Sequence, residues 1–178
     1  MHVTRRDFTT LVGMGMADAM LGQNAGAKYA TAVTNTMVGV PFERKDPRIA
    51  IIGVGGRGTM LLGNMLGAKA QVVAVCDIVV EHAKRAQALV AQAGQSAPEL
   101  YTDGDHAYEK LVRREDVDLV IIATPWIWHA PMALAAMEHG KHVATEVPGV
   151  ETLEDCWRIV NTSERTRRHC MVLENSCY

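Results

Sequence analysis

Arg48–Asp77 reads RIAIIGVGGRGTMLLGNMLGAKAQVVAVCD, and the order of its parts decides the fold. An apolar run, Ile49-Ala50-Ile51-Ile52, leads into Gly53-x-Gly55-x-x-Gly58, and a helical pattern follows. A second apolar run, Val72–Val75, ends at Asp77, which lies 77 − 58 = 19 residues past the last glycine. Each part has a physical task. Gly53 permits a tight turn out of the first strand, and Gly55 lets the backbone approach a pyrophosphate. Gly58 lets the helix pack closely on the sheet, so that its first N–H groups and its dipole face the phosphates. Asp77, at the tip of the next strand, is placed to accept hydrogen bonds from an adenosine ribose. A lone glycine-rich turn would say little, but strand, turn, helix and acid here agree on a bound dinucleotide. A carboxylate at Asp77 repels a 2′-phosphate, and Ile78-Val79-Val80 supplies no arginine after it, so NAD is expected rather than NADP. Arg57, inside the glycine loop, is within reach of phosphate or ribose.

The bulk numbers narrow the class. At 178 residues there is room for one ordinary domain with a real core. Hydrophobic residues at 48% and charged residues at 21% describe a globular chain. A formal net charge of −2 offers no basic stripe for nucleic acid. The seven histidines show no metal-ligand spacing, so no metal site is expected. Cys76, Cys156, Cys170 and Cys177 form no C-x-x-C pair and are expected as free thiols, the first three buried inside strands or helices. No apolar run approaches the roughly 20 residues of a membrane span.

Residues 1–27 do not match the pattern that follows. Thr4-Arg5-Arg6-Asp7-Phe8 resembles a twin-arginine export motif, a modest apolar stretch runs from Leu11 to Ala17, and Ala25-Gly26-Ala27 fits an A-x-A cleavage site. Residues 1–27 are therefore expected to be a signal peptide, 28–47 a linker or arm, and 48–178 the folded domain. Such a leader implies export to the periplasm by the twin-arginine route, and a cytoplasmic location if it is not functional. That route carries proteins already folded, which suits a chain that must load NAD before leaving.

Beyond Asp77 the pattern alternates. Glu81–Ala93 reads as a helix, Glu99–Tyr101 as a short strand, and Asp105 as the N-cap of a helix through Arg113. Asp118–Ala123 is a buried parallel strand by its continuous β-branched run, ended by Thr124-Pro125. Ala130–His139 is a helix stopping at Gly140, and Lys141–Thr145 is another strand. Thr152 caps a helix whose apolar face is Leu153, Cys156, Trp157 and Val160, and Cys170–Leu173 closes the sheet. This is the α/β class: a doubly wound parallel sheet of Rossmann type. Ligands in such sheets bind beyond the carboxyl ends of the strands. That rule singles out Thr124 to His129, with Trp126, Trp128 and His129 near the ribose and nicotinamide. It also singles out Glu146-Val147-Pro148 and Asn175 to Tyr178. The tryptophans read equally as packing, His129 as a hydrogen-bonder at a helix start, Glu146 as a solvated strand-end acid and Asn175 as a turn residue.

With these segments placed, Arg48–Tyr178 resembles the N-terminal domain of the Gfo/Idh/MocA oxidoreductase family, through I-G-V-G-G-R-G, V-C-D, A-T-P-x-x-x-H and T-E-V-P. Sugar dehydrogenases of that family carry E-K-P, whose lysine assists cofactor binding and hydride transfer; here Val147 stands in the lysine's place. E-V-P, the stretch Glu164–Tyr178 and the leader resemble one branch, the NAD-dependent α-N-acetylgalactosaminidases of glycoside hydrolase family 109. The resemblance implies a reaction unlike the usual pair of carboxylates: transient oxidation at C3 of the sugar, elimination, addition of water and re-reduction, with NAD regenerated. It implies that Gly53, Gly55, Gly56, Arg57, Gly58 and Asp77 hold the adenosine half. Thr124, Trp126, Trp128, His129, Glu146, Val147 and Asn175 would surround the nicotinamide half, and Tyr178 would approach the sugar of an N-acetylgalactosaminide. Family members continue into a second, mostly β domain that supplies the catalytic base. The sequence is therefore expected to be a truncated piece that holds NAD, does not turn over substrate alone, exposes apolar surface and is open to homo-oligomerisation. Two alternatives stand beside this reading: a sugar dehydrogenase of the same family, and a non-catalytic NAD-binding module.

Overall fold

The computed structural model describes Met37, Val40–Phe42 and residues 44–174. Six parallel strands form one sheet: β1 (Arg48–Ile52), β2 (Gln71–Cys76), β3 (Glu99–Tyr101), β4 (Leu119–Ile122), β5 (His142–Glu146) and β6 (Cys170–Leu173). Their order across the sheet is β3-β2-β1-β4-β5-β6, so the strand order, though not the strand direction, reverses between β1 and β4. That reversal opens a crevice at the carboxyl ends of β1 and β4, the site rule for doubly wound sheets. The helices between strands are α1 (Gly56–Gly67), α2 (Val80–Gln92), α3 (Tyr108–Val112), α4 (His129–Glu138) and α5 (Leu153–Thr166).

Strand alternation divides the core into two layers. Ala50 and Ile52 of β1 face one way, with Val120, Ile122, Leu111 and Met137; Ile49 and Ile51 face the other, with Leu62, Val75, Val90 and Ala144. A strand apolar on both faces must be covered on both, which is why β1, β2 and β4 read as unbroken apolar runs. Ahead of β1, the Val40 carbonyl accepts a hydrogen bond from His169 Nε2 at 3.0 Å, and the Phe42 ring lies 4.4 Å from that of His142.

Three expectations need correction. Asp105 does not cap a helix: α3 starts only at Tyr108, Ala107 precedes it without a side-chain cap bond, and turns occupy the intervening residues. Thr152 does cap α5, accepting from the Asp155 N–H at 3.0 Å, but the apolar stripe of that helix faces outward. Leu153, Trp157 and Val160 are 75%, 47% and 47% exposed, and Cys156 is exposed with them rather than buried. The inward side of α5 is instead Ile159 with the buried Thr162 and Ser163, against α4. Packing against α4 thus overrides the more hydrophobic stripe. Cys76 is buried as expected, whereas Cys170 is only partly so.

Candidate functional site

The site starts from the glycine turn. Gly53 donates to the Cys76 carbonyl at 2.8 Å and has φ +82, a conformation that strains any side chain. A Cβ on it would lie 2.7 Å from the Ala123 carbonyl oxygen. A Cβ on Gly58 would lie 1.9 Å from the Gly53 carbonyl oxygen, so only glycine lets α1 settle onto the turn. Gly55 and Gly56 differ: a Cβ on either would meet nothing within 4 Å. Gly55 is the N-cap of α1 and no side chain caps it, so open space lies over the start of the helix and its N–H groups. This is the cradle a pyrophosphate requires.

Asp77 closes the turn from the β2 side. It is 8% exposed; Oδ2 accepts from the Val54 N–H and Oδ1 from the Val79 N–H, each at 2.8 Å. Each carboxylate oxygen keeps acceptor capacity toward the adjoining cleft. His82, in the first turn of α2, brings Nδ1 to 3.6 Å from Asp77 Oδ1. Arg85, one turn on, donates to the Val54 carbonyl at 3.3 Å. Together the glycine loop, the end of β2 and the start of α2 form one hydrogen-bonded frame.

A cleft of about 270 Å³ opens above that frame, and Gly53, Gly55, Asp77, Thr124 and Trp128 line it together. Ile78, Val79, His82, Gly104 and Asp105 line its other side. Sequence reasoning used Ile78 and Val79 only to exclude an arginine, and overlooked His82. The available signal was its position, five residues past Asp77 on the helix that Asp77 introduces. Burial pushes the thiol of Cys76 in the same wall up to about 12, helped by the neighbouring Asp77 charge, so it stays a neutral thiol.

Beyond β4 the expected residues separate. Trp128 is half-buried, edge-on to His106 and Tyr108 with ring centroids 5.7 and 6.2 Å away, and presents to the cleft. Trp126 is 62% exposed and is not among the lining residues. His129 is fully buried, and its Nε2 donates to the Thr124 carbonyl at 2.9 Å. It therefore braces the turn after β4 from beneath, as the helix-start reading anticipates. Its Nδ1 is buried without a hydrogen-bond partner among the described residues. Glu146, the last residue of β5, is nearly buried and pairs with Arg57, Nε to Oε1, at 2.6 Å. Val147 follows, half-buried, with a cis bond to Pro148. Asn175 and Tyr178 lie outside the described residues.

Comparison with known proteins agrees with this geometry. The chain is 44% identical over 179 residues to a glycosyl hydrolase family 109 protein of Solibacter usitatus, covering 98% of this chain and 40% of that one. It is 46% identical over 132 residues to an alpha-N-acetylgalactosaminidase of Bacteroides fragilis, covering 74% of this chain and 31% of that one. The chain thus spans well under half the length of these curated relatives. Among solved structures, the WlbA dehydrogenase of Chromobacterium violaceum in complex with NADH and UDP-GlcNAcA superposes with a TM-score of 0.62 at 25% identity, over 75% of this chain and 36% of that chain. An NAD-binding protein from Listeria innocua gives 0.59 at 34% identity, over 72% and 35%. Residues 47–174 match the oxidoreductase family with the NAD-binding Rossmann fold, and the chain belongs to that family, Gfo/Idh/MocA.

Proposed function

We propose that the chain is the cofactor domain of a glycosidase acting on N-acetylgalactosaminides through transient oxidation of the sugar. The observation that carries this reading is the end of β5. Glu146 is followed by Val147 where the family's dehydrogenases carry lysine, and the curated relatives sharing the chain's sequence are named glycosidases. NAD held by the glycine loop and Asp77 would supply hydride acceptance at C3 of the sugar and hydride return; loss of the C2 proton, cleavage of the glycosidic bond and addition of water would fall between the two. The chain's own residues hold and shield the cofactor. The open N–H groups at Gly55 and Gly56 meet the pyrophosphate, and Asp77 accepts from the adenosine ribose. Thr124 and Trp128 line the cleft along which the cofactor would cross toward β5, where the half-buried, uncharged Val147 follows Glu146. The group that removes the C2 proton is expected beyond residue 178.

Two measurements test this. Native and denaturing mass spectrometry of the purified chain should show NAD released on denaturation; a chain that neither retains NAD nor binds added NAD contradicts the reading at its root. A longer protein containing this domain, given an aryl α-N-acetylgalactosaminide, should release the aryl group with no net rise in NADH absorbance. Net NADH from a free sugar would instead make it a dehydrogenase, the activity named for the Chromobacterium neighbour. Bound NAD with neither reaction would make it a binding module. Export by the twin-arginine route is part of the proposal, since an enzyme that regenerates NAD needs no supply outside the cytoplasm. Replacing Arg5 and Arg6 by lysine should retain a reporter fused to residues 1–47 in the cytoplasm, and unchanged export would exclude that route.

A further inference from the structure

The pair Arg57–Glu146 joins the glycine loop to the far side of the crevice. Arg57 is the second residue of α1, Glu146 ends β5, and 89 residues separate them in sequence. In the sheet only β4 lies between β1 and β5, so the pair spans the end of β4 at 2.6 Å contact. The Glu146 side chain is 9% exposed and that of Arg57 33%, so the pair is only partly screened by water. A dinucleotide with its ribose on Asp77 and its pyrophosphate at Gly55 and Gly56 must extend its remaining half toward β4 and β5. Glu146 then stands on the nicotinamide side, with the uncharged Val147 next to it.

We propose that Arg57 is a positioning and charge-balancing residue for Glu146, and that the pair sets the relative affinity of the site for oxidised and reduced cofactor. The inference rests on the NAD-domain reading above. The physical basis is simple. The oxidised nicotinamide ring carries one positive charge and the reduced ring none. An isolated carboxylate at low dielectric beside it favours the oxidised form, and an isolated guanidinium disfavours it. Paired, the two cancel, and the site discriminates little. A reaction that removes a hydride and returns it within one turnover needs that balance, because strong preference for either form traps it halfway. The position following Glu146 supplies no charge of its own, so the balancing cation comes from the glycine loop.

The test is the dissociation constant of the chain for NAD and for NADH, measured by titration calorimetry on wild type, R57Q, R57K, E146Q and the double variant R57Q/E146Q. R57Q leaves Glu146 uncompensated and should raise the ratio Kd(NADH)/Kd(NAD) about threefold to tenfold. E146Q removes the carboxylate while keeping the Arg57 cation, and should lower the ratio by a similar factor. The double variant should return it to within about twofold of wild type, and R57K should stay close to wild type. Opposite shifts that cancel in the double variant cannot come from a mere staple, whose loss weakens both forms alike. Singles that change both constants by one factor, leaving the ratio fixed, overturn the proposal while keeping the NAD site. A wild-type chain that binds neither form overturns the NAD reading itself, and this inference with it. E146Q keeps the loop cation, so it decides the matter even if R57Q does not fold.

Discussion

Two aspartates stand at opposite ends of the parallel strands, Asp118 before β4 and Asp77 after β2, and they are used differently. Asp118 stands just before β4, where its oxygens accept from the Arg48 N–H at 2.8 Å, Arg48 Nε at 2.9 Å and Arg48 Nη2 at 3.0 Å, with Arg44 Nε at 3.5 Å. The protein saturates it, and the Arg48 side chain holds its carboxyl below the ordinary carboxylate range. Asp77 stands just past β2, takes one backbone N–H on each oxygen and faces a cleft. The glycines divide likewise. Gly53 and Gly58 are glycine because protein atoms crowd them, whereas Gly55 and Gly56 face open space. Where the protein fills a polar group's surroundings the group serves the fold; where it leaves acceptor capacity and space together, the group serves a ligand.

Changing the glycines tests that division most severely. Gly58→Ala forces a Cβ against a backbone carbonyl that cannot rotate away, so α1 must lift from the turn. We expect a stability loss of about 3 kcal/mol, the upper end of overpacking costs, and loss of NAD binding with it. Gly55→Ala should leave stability within about 0.5 kcal/mol and still weaken NAD tenfold or more, because the methyl occupies space meant for phosphate. Urea midpoints and calorimetric titration separate the two effects. A Gly55→Ala chain with undiminished affinity would move the pyrophosphate elsewhere.

The aspartates come next. Asp118→Asn removes charge-assisted bonds from a partly buried pair, and should cost about 1–2 kcal/mol at pH 7. The sign with pH follows from the lowered folded value. The contribution is fully present above the ordinary carboxylate range and is lost as pH falls through the lower folded value. Wild type and Asp118→Asn should therefore converge in stability in strong acid, as read by thermal melts from pH 7 downward. Asp77→Asn should cost about 1 kcal/mol, since an amide oxygen accepts only one of the two N–H groups and its NH₂ opposes the other. Its larger effect should be on recognition: weaker NAD and a smaller preference over NADP. Undiminished NAD affinity and unchanged NADP discrimination in Asp77→Asn would erase the contrast between the two ends.

The sequence made the adenosine side legible because its signals are local. Strand, glycine turn, helix and acid fall within Arg48–Asp77, and each residue's role follows from backbone geometry over a few positions. The nicotinamide side was less legible because its contacts are distant. Nothing in the neighbourhood of Arg57 announces Glu146, and the two were expected to hold different halves of the cofactor. His129 could be placed after β4 by pattern, but only packing shows that its ring turns back to the Thr124 carbonyl. On α5 the periodicity carried two stripes at once. Hydrophobicity favours Leu153, Cys156, Trp157 and Val160, while the fold turns Ile159, Thr162 and Ser163 inward against α4.

That outward stripe supplies the smallest expected effect and the sharpest check on where the core ends. Trp157→Ser removes a large aromatic that is already 47% exposed and absent from both core layers. Stability should change by no more than about 0.5 kcal/mol, against the roughly 3–5 kcal/mol that truncating a buried tryptophan costs. The midpoint of urea unfolding at low protein concentration decides it. A loss of core size would mean that another part of the polypeptide covers Trp157 in solution, and that the stripe belongs to a packed layer after all. A loss that appears only as concentration rises would place a second copy there, since association stabilises by mass action and a unimolecular contact does not. An unchanged midpoint at all concentrations leaves the stripe uncovered, and confines the core of this chain to the two layers that sandwich the sheet.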